Sequence, residues 1–208
     1  EDVNYMVGSV TYPVGQGTLA LGYLGSSVSG LDLYTDEGGL PVAQGTADYS
    51  NYVLYLSYGV RLSQITPDLM VGANLKAFSK QFTGAELVKN ANGTGSNFDF
   101  GLLYQPNNWF TLGLTQQNLL ESSKMEFPGG LKEDIPCTTK AGINMMILGK
   151  YGYIKSASKL NISADIDMDS QGKREKTLHV GAEYWPMEML AIRAGMDQDP
   201  IPQGVVSN

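Results

Sequence analysis

The stretch Asn51-Tyr52-Val53-Leu54-Tyr55-Leu56-Ser57-Tyr58-Gly59-Val60-Arg61-Leu62 decides the fold. Tyr52, Leu54, Leu56, Tyr58, Val60 and Leu62 fall on one parity, and Asn51, Tyr55, Ser57, Gly59 and Arg61 on the other. Successive side chains of a strand point to opposite faces, so the pattern predicts a strand with one oily and one polar side. Residues 159–168 repeat it: Leu160, Ile162, Ala164, Ile166 and Met168 oppose Lys159, Asn161, Ser163, Asp165 and Asp167. Residues 177–184 do so again, with Leu178, Val180, Ala182 and Tyr184 against His179, Gly181 and Glu183. No long segment has the 3.6-residue period of an amphipathic helix.

Working outward, ten strands are predicted, at 4–13, 18–25, 50–62, 68–80, 97–105, 109–118, 137–148, 159–168, 175–185 and 188–197. Most are longer than the usual ~5–6 residues, and about 9–11 residues carry a tilted strand across a bilayer. Connections alternate in length. Val14–Gly17, Ser63–Pro67, Pro106–Asn108 and Pro186–Met187 are short, with Gly149–Ser158 longer; Ser26–Tyr49, Gln81–Ser96 and Leu119–Pro136 are long, with Asp169–Arg174 short. Short turns at one end and long loops at the other mark outer-membrane barrels. A soluble β-sandwich, the competing reading, predicts two packed sheets and mixed loop lengths.

Composition narrows the classes further. Of 208 residues, 17% are charged, against roughly 25% in an ordinary domain, and 25 are glycine, a share above the usual ~7%. The formal net charge of −7 argues against nucleic acid as a partner, since that needs a basic stripe. One Cys excludes an intramolecular disulfide framework, and one His with one Cys leaves little for a His/Cys metal site. No run of 18 apolar residues forms a transmembrane helix. A signal peptide is expected to be absent or already removed.

The expected lipid-facing set includes Leu19, Leu21, Leu54, Leu56, Leu75, Phe100, Leu112, Leu114, Ile143, Ile162, Ile166, Val180 and Ile192, all apolar. The expected lumen-lining set is Arg61, Lys76, Asp99, Lys140, Asp165, Asp167, His179, Glu183 and Arg193. Its mixed signs suit a network that stiffens a narrow barrel better than a single-sign selectivity ring. Tyr12, Tyr104, Trp109, Tyr184 and Trp185, near the short turns, are expected to form an interfacial girdle.

Chemistry-bearing motifs are sparse. Asp165-x-Asp167-x-Asp169 with Gly172 superficially resembles a calcium loop, but Ser170 and Lys176 stand where an EF-hand needs Gly and Glu. Asp165 and Asp167 raise the idea of a glycosidase pair, yet strand alternation accounts for both. His179 lacks a Gly-x-Ser-x-Gly elbow to support a triad, and Cys137 reads as an inert strand-end residue. No catalytic residue, no cofactor and no metal are expected, and the chain is not read as an enzyme.

Tyr58-Gly59-Val60-Arg61-Leu62-Ser63, Leu69-Met70-Val71-Gly72-Ala73-Asn74-Leu75-Lys76 and Asp99-Phe100-Gly101-Leu102-Leu103-Tyr104 carry a resemblance. So do Trp109 to Asn118, Leu160 to Asp165, Leu178 to Trp185 and Leu190 to Gly195. Together they resemble the PorV/PorQ-like branch of the FadL-type outer-membrane β-barrels. The resemblance implies an all-β, up-and-down antiparallel transmembrane barrel of 14 strands with an N-terminal plug. The ten strands here, without the Asn-Pro-Ala motif usual in that plug, are then expected to be a fragment, residues 1–208 forming one barrel domain without the plug and terminal strands. Implied too are a bacterial outer-membrane location, contact with outer-membrane lipid and transport of a hydrophobic small-molecule ligand. The alternative family role is a secretion-associated barrel whose long loops, Ser26–Tyr49 and Leu119–Pro136, bind secretion machinery or an exported protein. A structural surface-assembly protein is the third reading.

Overall fold

The computed structural model describes residues 3–88, 91–120, 123–128, 130–169 and 176–198. Strands are β1 (Val3–Val14), β2 (Gly17–Glu37), β3 (Leu40–Arg61), β4 (Leu69–Gly84), β5 (Gly93–Asn107), β6 (Phe110–Gln117), β7 (Lys124–Glu126), β8 (Lys132–Asp134), β9 (Thr138–Gly149), β10 (Ile154–Lys155), β11 (Lys159–Asp169), β12 (Thr177–Met187) and β13 (Leu190–Asp197). The one helical element among the described residues is a 3₁₀ turn, Glu86–Val88.

Ten strands hydrogen-bond in the order β1-β2-β3-β4-β5-β6-β9-β11-β12-β13, an up-and-down antiparallel sheet. These are the ten segments that alternation singles out. No ladder joins β1 to β13 among the described residues. β10 adds a two-residue parallel bridge to β9, and β7 pairs with β5 and β8.

Three connections expected to be loops contain strand. Ser26–Tyr49 is a ribbon: β2 and β3 run on, with Tyr34 opposite Ala43 and Glu37 opposite Leu40. The ribbon closes on Gly38 and Gly39, whose φ values of 67° and 88° are the two positive angles of a type I′ turn. Asp36 Oδ1 accepts from the Gly39 amide at 2.7 Å. Leu119–Pro136 holds the β7–β8 hairpin, and Gly149–Ser158 holds β10. The ribbon escapes a period-two reading because Leu40 to Thr46 is exposed on both faces, so nothing selects alternation there.

The chain packs as two compact units. The first comprises Glu1–Val60, Gly72–Asp99 and Asn118–Ile135; the second comprises Arg61–Val71, Phe100–Gln117 and Pro136–Asn208. Within the first, cross-strand register puts Leu19 beside Tyr58, Leu21 beside Leu56 and Tyr23 beside Leu54 on one face. Within the second, Leu102–Leu114, Leu112–Ile143, Ile143–Ala164, Ile162–Ala182 and Tyr184–Ile192 neighbour one another on one face. The opposite face of that unit carries Gly113–Gly142, Thr115–Lys140, Lys140–Asp167, Asp165–His179 and Glu183–Arg193.

Many large apolar side chains are exposed. Leu21, Leu54 and Leu75 are half exposed or more, and Ile192 is 57% exposed. Among the described residues the buried hydrophobic ones are Ala47, Val53, Met125, Ile135 and Cys137, whereas Lys76, Ser79, Asn97 and Asp99 are buried polar groups. In the first unit packing thus concentrates on the polar side of β4 and β5.

Candidate functional site: two polar-face networks

In the first unit, β4 presents Lys76 and β5 presents Asp99, with Lys76 Nζ 2.6 Å from Asp99 Oδ1. Their side chains are 7% and 6% exposed. Asn74 Nδ2 donates to Asp99 Oδ2 at 3.3 Å, and the Asn118 amide donates to Asp99 Oδ1 at 2.9 Å. Lys76 also donates to Asn118 Oδ1 at 2.6 Å. Two charges leave water here only because each has an opposite charge and further hydrogen bonds.

Asn97, two residues before Asp99 and so on the same face, is completely buried. Its Oδ1 accepts from the amides of Phe98 at 2.8 Å and Leu120 at 3.0 Å, while its Nδ2 donates to the Leu120 carbonyl at 3.3 Å. The Leu119 amide reaches the Phe98 carbonyl at 2.8 Å, and Ser123 Oγ bonds the Ser96 carbonyl. Asn118, at φ 57°, makes the bend that brings this segment back. Phe127 lies over Gly93, where a Cβ would stand 2.5 Å from the ring.

In the second unit the polar face carries a chain of ion pairs. Lys140 pairs with Asp167, which faces it in register across β9 and β11. His179, opposite Asp165, has Nδ1 2.8 Å from Asp197 Oδ1 and Nε2 4.0 Å from Asp167 Oδ2. Arg193 Nε donates to Glu183 Oε2 at 2.5 Å and the guanidinium lies 5.6 Å from the Trp185 ring centre. Trp185 Nε1 donates to Glu183 Oε1 at 2.5 Å.

The nine sequence-selected residues therefore divide into separate groups. Arg61 joins neither network: it donates to the Pro67 carbonyl at 2.8 Å and tethers the β3–β4 turn. Asp165, Asp167 and His179 each bring a ligating atom within 4.8 Å of the others. Asp165 and Asp167 lie within β11, and Asp169 is its last residue, so they are spaced along a strand and not wrapped in a calcium loop; Ser170 and Gly172 lie outside the described residues. Cys137 is buried, with Gln116 Nε2 2.9 Å from its Sγ. In the girdle set, Trp109 packs on Tyr153 at 5.2 Å.

Sequence reading missed Asn97, Asn118 and Asp197. Asn97 and Asp197 share the strand parity of Asp99 and Arg193, a signal present in the sequence; Asn118 lies in a loop and carries none. No family model, curated protein or solved structure matches the chain.

Proposed function

We propose that the chain is part of a bacterial outer-membrane β-barrel of the FadL/PorV type that moves hydrophobic small molecules across the membrane. One observation carries the membrane half of this reading: in the first unit Leu21, Leu54 and Leu56 on the apolar face are exposed while Lys76, Asn97 and Asp99 on the polar side of β4 and β5 are buried, and in the second Ile143, Ile162 and Ile192 are exposed opposite a face of paired charges. Each Leu or Ile side chain left in water forgoes roughly 1.5–3 kcal/mol of burial. A hydrocarbon solvent removes that loss and leaves the ion pairs for a polar interior, where a barrel needs them. Antiparallel ladders satisfy the backbone between neighbouring strands, and a lipid-spanning sheet further requires the edges at β1 and β13 to be paired, which the remaining strands of a larger barrel would do. The lumen role of Lys140, Asp167, His179, Glu183 and Arg193 follows from the same assignment. The hydrophobic substrate class rests on the sequence resemblance.

The test is two-stage. Bacterial membranes containing the full-length protein are washed with alkaline carbonate; retention in the pellet and a heat-dependent gel mobility are expected, and release by carbonate overturns the membrane reading. Uptake of a fluorescent long-chain fatty acid by proteoliposomes then tests transport, which an uptake rate equal to empty liposomes would exclude.

The secretion-associated alternative is favoured by one feature, the β2–β3 ribbon. Strands of 21 and 22 residues span roughly 70 Å at ~3.3 Å per residue, far beyond an apolar band of about 25 Å. Tyr34, Leu40 and Val42 are exposed on this extension and would be the docking contacts. Retention of a co-expressed secreted protein by the intact chain, lost on excision of residues 32–44, separates this role from transport.

A further inference from the structure

The segment that leaves β6 is gripped by side chains of the polar face. Asn97 brackets Leu120 on both its amide and its carbonyl, Asp99 takes the Asn118 amide, and Lys76 takes the Asn118 side chain. The burial of Lys76 and Asp99 follows from this cover, because a polar strand face without it would leave the pair solvated. Met125 and Ile135 are buried further along the same segment.

We propose that Asn118–Leu120 and Ser123–Phe127 form an inward-folded strap that restricts the permeation path, with Asn97 and the Lys76–Asp99 pair as its positioning residues. This rests on the barrel reading, under which the polar face is the interior. Lys76 and Asp99 then hold the strap and do not contact a passing solute. The restriction is steric, so it acts on small neutral solutes as well as on any apolar ligand.

The probe is a neutral monosaccharide, whose entry is read by swelling of proteoliposomes made with the full-length protein. Asn97→Ala removes the bracket, and Asn118→Gly keeps the left-handed bend while deleting the acceptor for Lys76. Trypsin cleavage at Lys124 and Lys132 reports whether the strap is released, and heat-dependent mobility reports folding. Gln44→Ala, which removes a hydrogen bond to Thr35 within the ribbon and none to the strap, is the control. The expected result is several-fold faster swelling and faster cleavage in both variants, with folding and the control unchanged. Faster cleavage with unchanged swelling overturns the restriction; unchanged cleavage overturns the role of Asn97 and Asn118. Misfolding of one variant leaves the other to decide, and misfolding of both assigns these asparagines to the fold and overturns the strap. If the wild-type protein fails to enter liposomes, the barrel reading falls and the strap falls with it, an outcome distinct from the others.

Discussion

Lys76 and Asp99 form an ion pair at 2.6 Å on two neighbouring strands of the first unit, with both side chains buried. Removing one partner strands a buried charge, which costs about 3–5 kcal/mol. Replacing both by apolar groups of similar size removes that charge. Asp99→Leu alone is therefore expected to lower urea resistance sharply, and Lys76→Met with Asp99→Leu to recover most of the loss. Additive effects in this double-mutant cycle would contradict a coupled pair.

The two faces of β3 make opposite demands. Leu56 belongs to the exposed apolar face and Ser57 to the other. Leu56→Arg is expected to cost ~2–4 kcal/mol of folding free energy in liposomes if it sits near mid-bilayer, with Ser57→Arg much milder. Equal costs, measured by urea titration of tryptophan fluorescence, would count against a lipid-facing β3.

The ribbon turn depends on backbone and not on packing. A Cβ at Gly38 or Gly39 meets nothing within 4 Å, yet both residues have positive φ. Gly39→Ala is expected to cost on the order of 1–2 kcal/mol of local stability, from left-handed strain alone. Hydrogen exchange should quicken at Tyr34–Ala43 and stay unchanged in β11 and β12.

Glu126 on β7 accepts from Lys132 on β8 at 2.6 Å. That hydrogen bond and the lysine charge hold its carboxyl below the ordinary carboxylate range. A lowered folded-state pKa contributes stability above the unfolded-state value, and this is lost as pH falls through the folded-state value. Hairpin protection against trypsin is thus expected to weaken on acidification below the usual Glu range. Glu126→Gln should start weaker and lose this component of the pH response; an unchanged acid profile would show that the pair contributes nothing.

Strand number and pairing order were legible wherever one face differed from the other. Leu160 to Met168 and Leu178 to Tyr184 alternate cleanly because each strand has an apolar and a polar neighbour environment, and both appear as strands in the expected order. Leu40 to Thr46 is exposed on both sides, which leaves no pressure on parity there, and the readable signal of the ribbon was Gly38-Gly39. Ion-pair partners were partly legible. Glu183 and Arg193 share a parity, but which cation meets which carboxylate depends on register, and register came from the ladders.

By itself, then, the sequence determined an all-β chain of ten principal strands with an apolar and a polar side, because a period of two is written locally by side-chain chemistry. Only the tertiary structure decided which polar groups are buried. Asn118 carries no pattern that marks it, yet its bend returns the chain over β4 and β5 and closes Lys76, Asn97 and Asp99 from water. Burial of a charge depends on what covers it, and the covering segment lies about 20 to 40 residues further along the chain, beyond the reach of any local periodicity.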